Sequence, residues 1–314
     1  LAYLRPQYAR ALAAYIKERG GLPFLTDCNT LYVGSRKNAL EHIETAYING
    51  YTPYATGCQV IIADGVRGTD EAYIPIGCEE VKTAKIGRAI ADADIIISLN
   101  HFKGHEDAGF GGALKNLGMG SGSRAGKMEM HYDGKPVVDR DRCRGCRKCA
   151  TICANDGIHY ESSKAVIDYD NCVGCGRCIA ICSFDAIKPH NSSSAASLNR
   201  RIAEYAYAVV KDKPNFHISI AADISPNCDC HPENDAPIVP NIGMFASFDP
   251  VAIDLAAADA VNAMPANPRS ALSEAECRCH DHFINVHPNT NWRVQIEHGE
   301  EIGLGSSEYE LIRI

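Results

Sequence analysis

The chain has 314 residues, 46% apolar and 22% charged, which suits a globular protein with one main domain plus a small one. Its net charge of −8 argues against generic nucleic-acid binding, which needs clustered Lys and Arg to neutralise phosphates. The longest apolar run, around Ile95 to Leu99, falls far short of the roughly 20 residues that cross a bilayer. No signal peptide opens the chain, so no membrane is expected and a cytoplasmic location is the default. Leu1 leads directly into a helical pattern, so a further segment upstream of it is expected.

In chain order, residues 21–29 read as a strand running into a polar turn, and 35–50 as a helix with Ala39, Ile43, Ala46 and Tyr47 at helical spacing. Residues 58–65 form a buried strand, 79–93 a helix and 94–100 another buried strand. Residues 119–142 and 188–197 are rich in Gly, Ser and polar side chains and read as linkers. Beyond them come a helix at 198–212, a strand at 216–224, a Pro-rich loop at 225–241, a short segment at 242–247 and a helix at 249–263. Apolar strands joined by helices predict an α/β fold with a mostly parallel sheet covered by helices.

Between the linkers, "CRGCRKCATIC" and "CVGCGRCIAIC" repeat the spacing C-x2-C-x2-C-x3-C. Eight cysteines in this register resemble the bacterial two-cluster ferredoxins, where the fourth cysteine of each run ligates the other cluster. That resemblance implies two [4Fe-4S] clusters. One would be held by Cys143, Cys146, Cys149 and Cys182, the other by Cys172, Cys175, Cys178 and Cys153. It also implies a small inserted α+β ferredoxin-like domain over 136–190, dividing the α/β domain into 1–135 and 191–314. The proline that usually follows the fourth cysteine is Ala154 in one run and Ser183 in the other. Two structural zinc sites would need only two pairs of cysteines each and do not account for the register. Arg140, Arg142, Arg144, Arg147 and Lys148 surround the first run, whereas the second contains only Arg177. Positive charge favours a reduced cluster, so the first cluster is expected to have the higher potential; a docking patch for an acidic partner is the competing reading.

The polar stretch 98–120 follows a buried strand, and ligands of open α/β sheets bind at the carboxyl ends of strands. His101, Lys103, His105 and Lys115 are the candidate catalytic residues there. Gly109, Gly111, Gly112 and Asn116 are candidates for holding an anionic small molecule against backbone amides at a helix start. His101 and His105 could instead hold a metal or move protons. In the Pro-rich loop, Cys228, Asp229, Cys230 and His231 suggest a metal or redox element. Cys228 and Cys230 could join Cys277 and Cys279 in a third, four-thiolate metal site. Cys28, Cys58 and Cys78 read as ordinary buried or loop thiols. No G-x-G-x-x-G supports a dinucleotide site.

Together "TDCNTLYVGSRKNALEH", "VIIADG", "HFKGHEDAGFGGALKNLGMG", "SRAGK", "CDC", "APIVPNIGMFASFDPVAID" and "EEIGLG" resemble the uncharacterised iron-sulfur centre proteins, the family called domain of unknown function three-six-two. The resemblance implies an α/β domain with an inserted two-cluster ferredoxin, common in anaerobic bacteria and archaea, and supplies no reaction. Relatives tend to read "TDTNT" where this chain has Cys28.

The leading expectation is an iron-sulfur oxidoreductase or electron-transfer subunit that passes electrons through two clusters to a site in the α/β domain. A redox partner protein and an oligomer fit this reading. The alternatives are a non-catalytic relay or assembly subunit docked on a larger redox complex, and a redox sensor or metal-delivery protein.

Overall fold

The computed structural model describes residues 3–31, 34–132, 135–172, 174–189, 195–230, 235–275 and 279–314. The chain opens with α1 (Pro6–Glu18), β1 (Phe24–Asp27), α2 (Ala39–Ile48), α3 (Pro53–Thr56) and β2 (Gln59–Ile62). Asn38 starts α2 by accepting the backbone N–H groups of Leu40 and Glu41, both at 3.1 Å. Next come β3 (Glu71–Pro75), β4 (Thr83–Gly87), α4 (Arg88–Ala91), β5 (Ile96–His101), β6 (Lys103–His105), β7 (Gly109–Gly111) and α5 (Ala113–Lys115). A π-helical turn, Asn116–Gly120, runs on into Ser121 and α6 (Arg124–Tyr132).

The cysteine-rich segment lies between β8 (Pro136–Val138) and β11 (Ile187–Pro189) and contains α7 (Lys148–Ile152), β9 (Ile158–Glu161), β10 (Lys164–Ile167) and α8 (Arg177–Ile181). The chain ends with α9 (Ala195–Val210), β12 (Asn215–Ala221), β13 (Gly243–Ser247), α10 (Pro250–Asn262), α11 (His282–Val286) and α12 (Arg293–Glu301). Among the described residues, no helix is long and apolar enough to cross a membrane.

The architecture is mixed α/β, assembled from small sheets. β1 pairs with β2 and β5 with β12 in parallel, but β13 joins β12 antiparallel, and β3–β4 and β6–β7 are antiparallel pairs. Among the described residues, parallel pairing is therefore found in two pairs of strands, β1–β2 and β5–β12, where a mostly parallel sheet was expected. The helix expected over 79–93 is also corrected. Its centre is β4, which turns Ala84 and Ile86 into the core and pairs with β3, so only Arg88–Ala91 is helical. The alternation was obscured by small residues that suit either period, and a strand partner decided it. Residues expected as a linker from 119 contain α6 instead. Its glycine-rich start is a packing device: a Cβ on Gly126 would lie 2.5 Å from the Lys85 carbonyl oxygen and 2.9 Å from the Tyr205 ring.

The main core lies between β5–β12 and helices α9 and α10. Phe102, Phe110, Phe283 and Trp292 are all fully buried there, with the Phe110 ring 4.9 Å from Phe102 and 5.2 Å from Trp292. These aromatics fix the β6–β7 hairpin from below and leave its polar residues on the other side. A second apolar nucleus joins Cys143, Cys149, Cys178, Ile179 and Ile187 to Leu31 and Met128, so the cysteine-rich segment packs against the preceding part of the chain. β8 and β11 pair at the base of that segment, Pro136 opposite Pro189, and bring its two ends together.

Candidate functional site

The end of β5 and the β6–β7 hairpin meet the loop that follows β12. Gly104 makes this approach possible: its N–H bonds to the Ser225 carbonyl at 2.9 Å, and a Cβ there would collide with the Pro226 carbonyl. Alternation along the chain sends Phe102 into the core and places His101 and Lys103 towards the loop. His101 Nδ1 lies 2.7 Å from Asp229 Oδ2, and its Nε2 lies 2.9 Å from the Ala222 carbonyl. Both ring nitrogens face oxygen acceptors, so the ring acts as a clamp. With both nitrogens engaged by oxygen, His101 is not among the ligand atoms gathered with Cys228 and Cys230. Lys103 donates to the His101 carbonyl at 3.0 Å and sits 3.8 Å from Asp229. Burial pushes the Asp229 carboxyl up, but Lys103 and the His101 hydrogen bond outweigh it and hold the group below its ordinary value.

The clamp on Asp229 turns the cysteines on either side of it into one buried pocket. His105, Cys228 and Cys230 offer ligand atoms that all lie within 4.8 Å of one another. Lys115 Nζ is 3.4 Å from Cys228 Sγ, and Gly111 leaves room for both lysines, since a Cβ there would be 3.3 Å from Lys103 Nζ and from Lys115 Cδ. A hydrogen bond from Cys230 lowers the Cys228 thiol well below its ordinary value, helped by Lys115 and Lys103 against the cost of burial. The same bond, with burial, raises Cys230. Lys115 is raised because the neighbouring thiols outweigh its desolvation. Burial and the charges of Lys115, His131 and Lys103 hold His105 well below its ordinary value, hence neutral.

The structure thus gathers His101, Lys103, His105, Lys115, Cys228 and Cys230 around one pocket. Other expected partners are elsewhere. Cys279 is exposed and bonds to Asn285 Oδ1 at 3.0 Å, so the two C-x-C pairs are not joined through it; Cys277 and His231 lie outside the described residues. Asn116 points to Asn100 Oδ1 at 2.7 Å and to the Leu99 carbonyl. Gly109, at φ +86°, packs against Trp292. The anion expected at the glycine-rich helix start is one the chain itself provides. Asp254 accepts the N–H groups of Ala113 at 2.6 Å and Leu114 at 2.8 Å, and it fills the space beside Gly112. Asp254 was not foreseen; the signal for it is a carboxylate on the apolar stripe of α10, at helical spacing from Val251, Ala257, Ala258 and Val261, whereas Asp259 lies off that stripe.

The eight clustered cysteines fall into two sets. Cys143, Cys146, Cys149 and Cys182 line one open hollow of about 320 Å³, together with Tyr160 and Phe184. Cys153, Cys172, Cys175 and Cys178 line another of about 360 Å³. Each hollow takes three cysteines from one run and the fourth from the other. The backbone repeats accordingly. Gly145 and Gly174 have positive φ, as do Arg147 and Gly176 at +66° and Asp156 and Asp185 near +49°. Cys153 and Cys182 accept backbone N–H groups four residues on, from Gly157 at 3.2 Å and Ala186 at 3.3 Å. Lys164 bonds to the Cys143 carbonyl and Lys135 to that of Cys172. This donor set, thiol sulfurs around two hollows with N–H groups aimed at sulfur, fits iron–sulfur clusters.

Basic side chains line the two hollows unequally, with Arg144, Arg147 and Lys148 at the first and Arg177 at the second. Arg140 pairs with Glu161 and Arg142 with Asp139, while Arg147 stacks over Tyr160. The second hollow has a buried neighbour that the sequence did not reveal. Arg124 is fully buried, its side chain lies against Gly176, and its guanidinium donates to the carbonyls of Thr30, Lys37 and Arg67. Arg36, in the same loop, donates to the Cys230 carbonyl at 3.2 Å. Arg124, Lys37 and Arg36 therefore connect Gly176, at the second hollow, to the Cys230 carbonyl.

The chain belongs to the family Domain of unknown function (DUF362). The DUF362 match spans residues 1–259 and takes in the pocket and both hollows; Cys279, α11 and α12 lie beyond it. No curated protein and no solved structure matches the chain.

Proposed function

We propose that this DUF362 chain is an iron–sulfur redox protein in which residues 136–190 form a ferredoxin-like insert in an α/β domain (1–135 and 191–314). The observation that carries the reading is the crossed grouping of eight cysteines around two hollows. Cys143, Cys146, Cys149 and Cys182 would hold one [4Fe-4S] cluster, and Cys153, Cys172, Cys175 and Cys178 the other. Bound clusters supply one-electron transfer. The chain's residues do the rest: N–H groups of Gly157, Ala165 and Ala186 stabilise thiolate charge, and Leu31, Met128 and Ile179 keep water from the inner side.

The destination of the electrons is the pocket of Lys103, His105, Lys115, Cys228 and Cys230. Its two ammonium groups favour an anionic small molecule or bound cofactor, and Arg124, Lys37 and Arg36 give a covalent and hydrogen-bonded route from the second hollow. A redox partner protein would dock near the more exposed first hollow, where Cys146 reaches the surface.

Anaerobic purification with iron and sulfide analysis tests the reading, with about eight of each expected per chain. In Cys153→Ser the spectroscopic signal lost should be that of the centre shared with Cys172, Cys175 and Cys178. Loss of the local centre instead, or an iron-free protein after anaerobic reconstitution, would sink the proposal.

A further inference from the structure

The pocket at the end of β5 holds two thiols whose roles the cluster reading leaves unassigned. We infer that Cys228 and Cys230 form a redox-active dithiol/disulfide pair, the group in the α/β domain that stores electrons two at a time. The inference rests on the proposed function for the source of those electrons.

Geometry supports it at three points. Asp229, the single residue between the cysteines, is fixed by His101 at 2.7 Å and Lys103 at 3.8 Å, and the two sulfurs are held within 4.8 Å of each other. Lys115 hydrogen-bonds to Cys228 Sγ at 3.4 Å, which favours the thiolate on that sulfur and makes the pair asymmetric as a nucleophile and its partner should be. A disulfide closed across one intervening residue is constrained, and constrained disulfides are the readily reduced ones.

A metal held by His105, Cys228 and Cys230 is the rival use of the same atoms, and the histidine argues against it. His105 Nδ1 accepts the N–H groups of Asp107 at 3.0 Å and Ala108 at 3.1 Å. The proton of the neutral ring is therefore on Nε2, which presents a donor and no lone pair. A metal-ligating histidine has the opposite arrangement, with its second nitrogen donating to a carbonyl or carboxylate. To ligate through Nε2, His105 would have to change tautomer and give up its two amide contacts, whereas a dithiol requires neither.

The step balances as follows. The Cys228–Cys230 disulfide accepts two electrons, delivered singly by reduced iron–sulfur centres, and one proton from solvent. The S–S bond breaks, leaving Cys228 as a thiolate beside Lys115 and Cys230 as the thiol that hydrogen-bonds to it. Cys230 is the partly exposed member of the pair, so the proton enters from its side.

The test uses anaerobic holoprotein oxidised with glutathione disulfide and then titrated reductively with photoreduced deazaflavin. Wild type is expected to take up about two more electron equivalents than the Cys228→Ser/Cys230→Ser variant, the number one disulfide accepts. Peptide mapping should find the Cys228–Cys230 disulfide before titration and two alkylatable thiols after it. Equal uptake with unchanged cluster signals would overturn the inference, as would a metal ion beyond the cluster iron that is present in wild type and lost from the variant. If neither protein shows cluster signals, the proposed function falls, while peptide mapping still decides the disulfide. Should the double variant fail to fold, Lys115→Met provides a second reading. Alkylation of Cys228 at neutral pH should slow by about tenfold as its thiol is released from the lysine; an unchanged rate would overturn the inference.

Discussion

Asp254 determines what the glycine cluster at 109–112 can do. Burial pushes its carboxyl up to about 7, against the two amide hydrogen bonds that favour the charged form. Those amides belong to residues 141 and 140 positions away in the chain. The sequence made the helix start and its glycines legible, but the identity of its anion depended on a contact that no local pattern encodes. Asp254→Ala would leave two buried N–H groups unpaired and should cost about 2–4 kcal/mol in urea unfolding. Gly112→Ala alone should also destabilise, because its Cβ would collide with the carboxylate. In the double variant the two losses should be clearly less than additive, since removing the carboxylate removes the collision. Full additivity would show that Asp254 does not occupy this position.

At the scale of elements, β5, β12, α9 and α10 were legible because their apolar runs are long and their ends carry clear signals. β4 and α6 were not, because small residues placed for close packing blur both periods. The seam between β5 and β12 contains a buried His217, whose Nδ1 meets Ser98 Oγ at 2.8 Å and whose Nε2 meets Asn215 Oδ1 at 2.9 Å. Burial lowers this histidine from 6.5 to about 4. A base depressed in the folded state contributes stability that is complete above its unfolded value and is lost as pH falls through the folded one. The stability difference between wild type and His217→Gln should therefore shrink as pH falls from about 6.5 to 4, by no more than about 3 kcal/mol. Urea unfolding at a series of pH values reads this difference directly, and a constant difference would refute the buried neutral histidine.

For the whole molecule, the α/β part contributes charge to the cysteine-rich segment. The basic residues visible in sequence are mostly tied to surface carboxylates or to Tyr160, whereas Arg124, far from either cysteine run, is buried against Gly176. A buried charge acts through a lower effective dielectric than an exposed one. Arg124→Gln should lower the potential of the proposed centre at Cys153, Cys172, Cys175 and Cys178 by some tens of millivolts, where ~59 mV is a factor of ten for one electron. Arg124→Lys should restore much of it, and Arg144→Ala should change the other centre less. Potentiometric titration followed by electron paramagnetic resonance separates the two centres. An unchanged second potential would return the tuning role to the surface arginines.

The pairing of β8 with β11 also bears on how the chain reaches this fold. Ser98 and His217 are 119 residues apart, and nearly half of that separation is the cysteine-rich segment from β8 to β11. Once its ends are joined at Pro136 and Pro189, the loop that must close before β5 can meet β12 is much shorter. Loop-closure entropy falls by only about 0.6 kcal/mol for each halving of length, yet this is the longest-range strand pairing among the described residues. The segment therefore acts as a preassembled splice whose own folding brings the halves of the α/β part within reach. A chain unable to order its cysteines would fold this seam more slowly, even though no cysteine of the two runs lies in it.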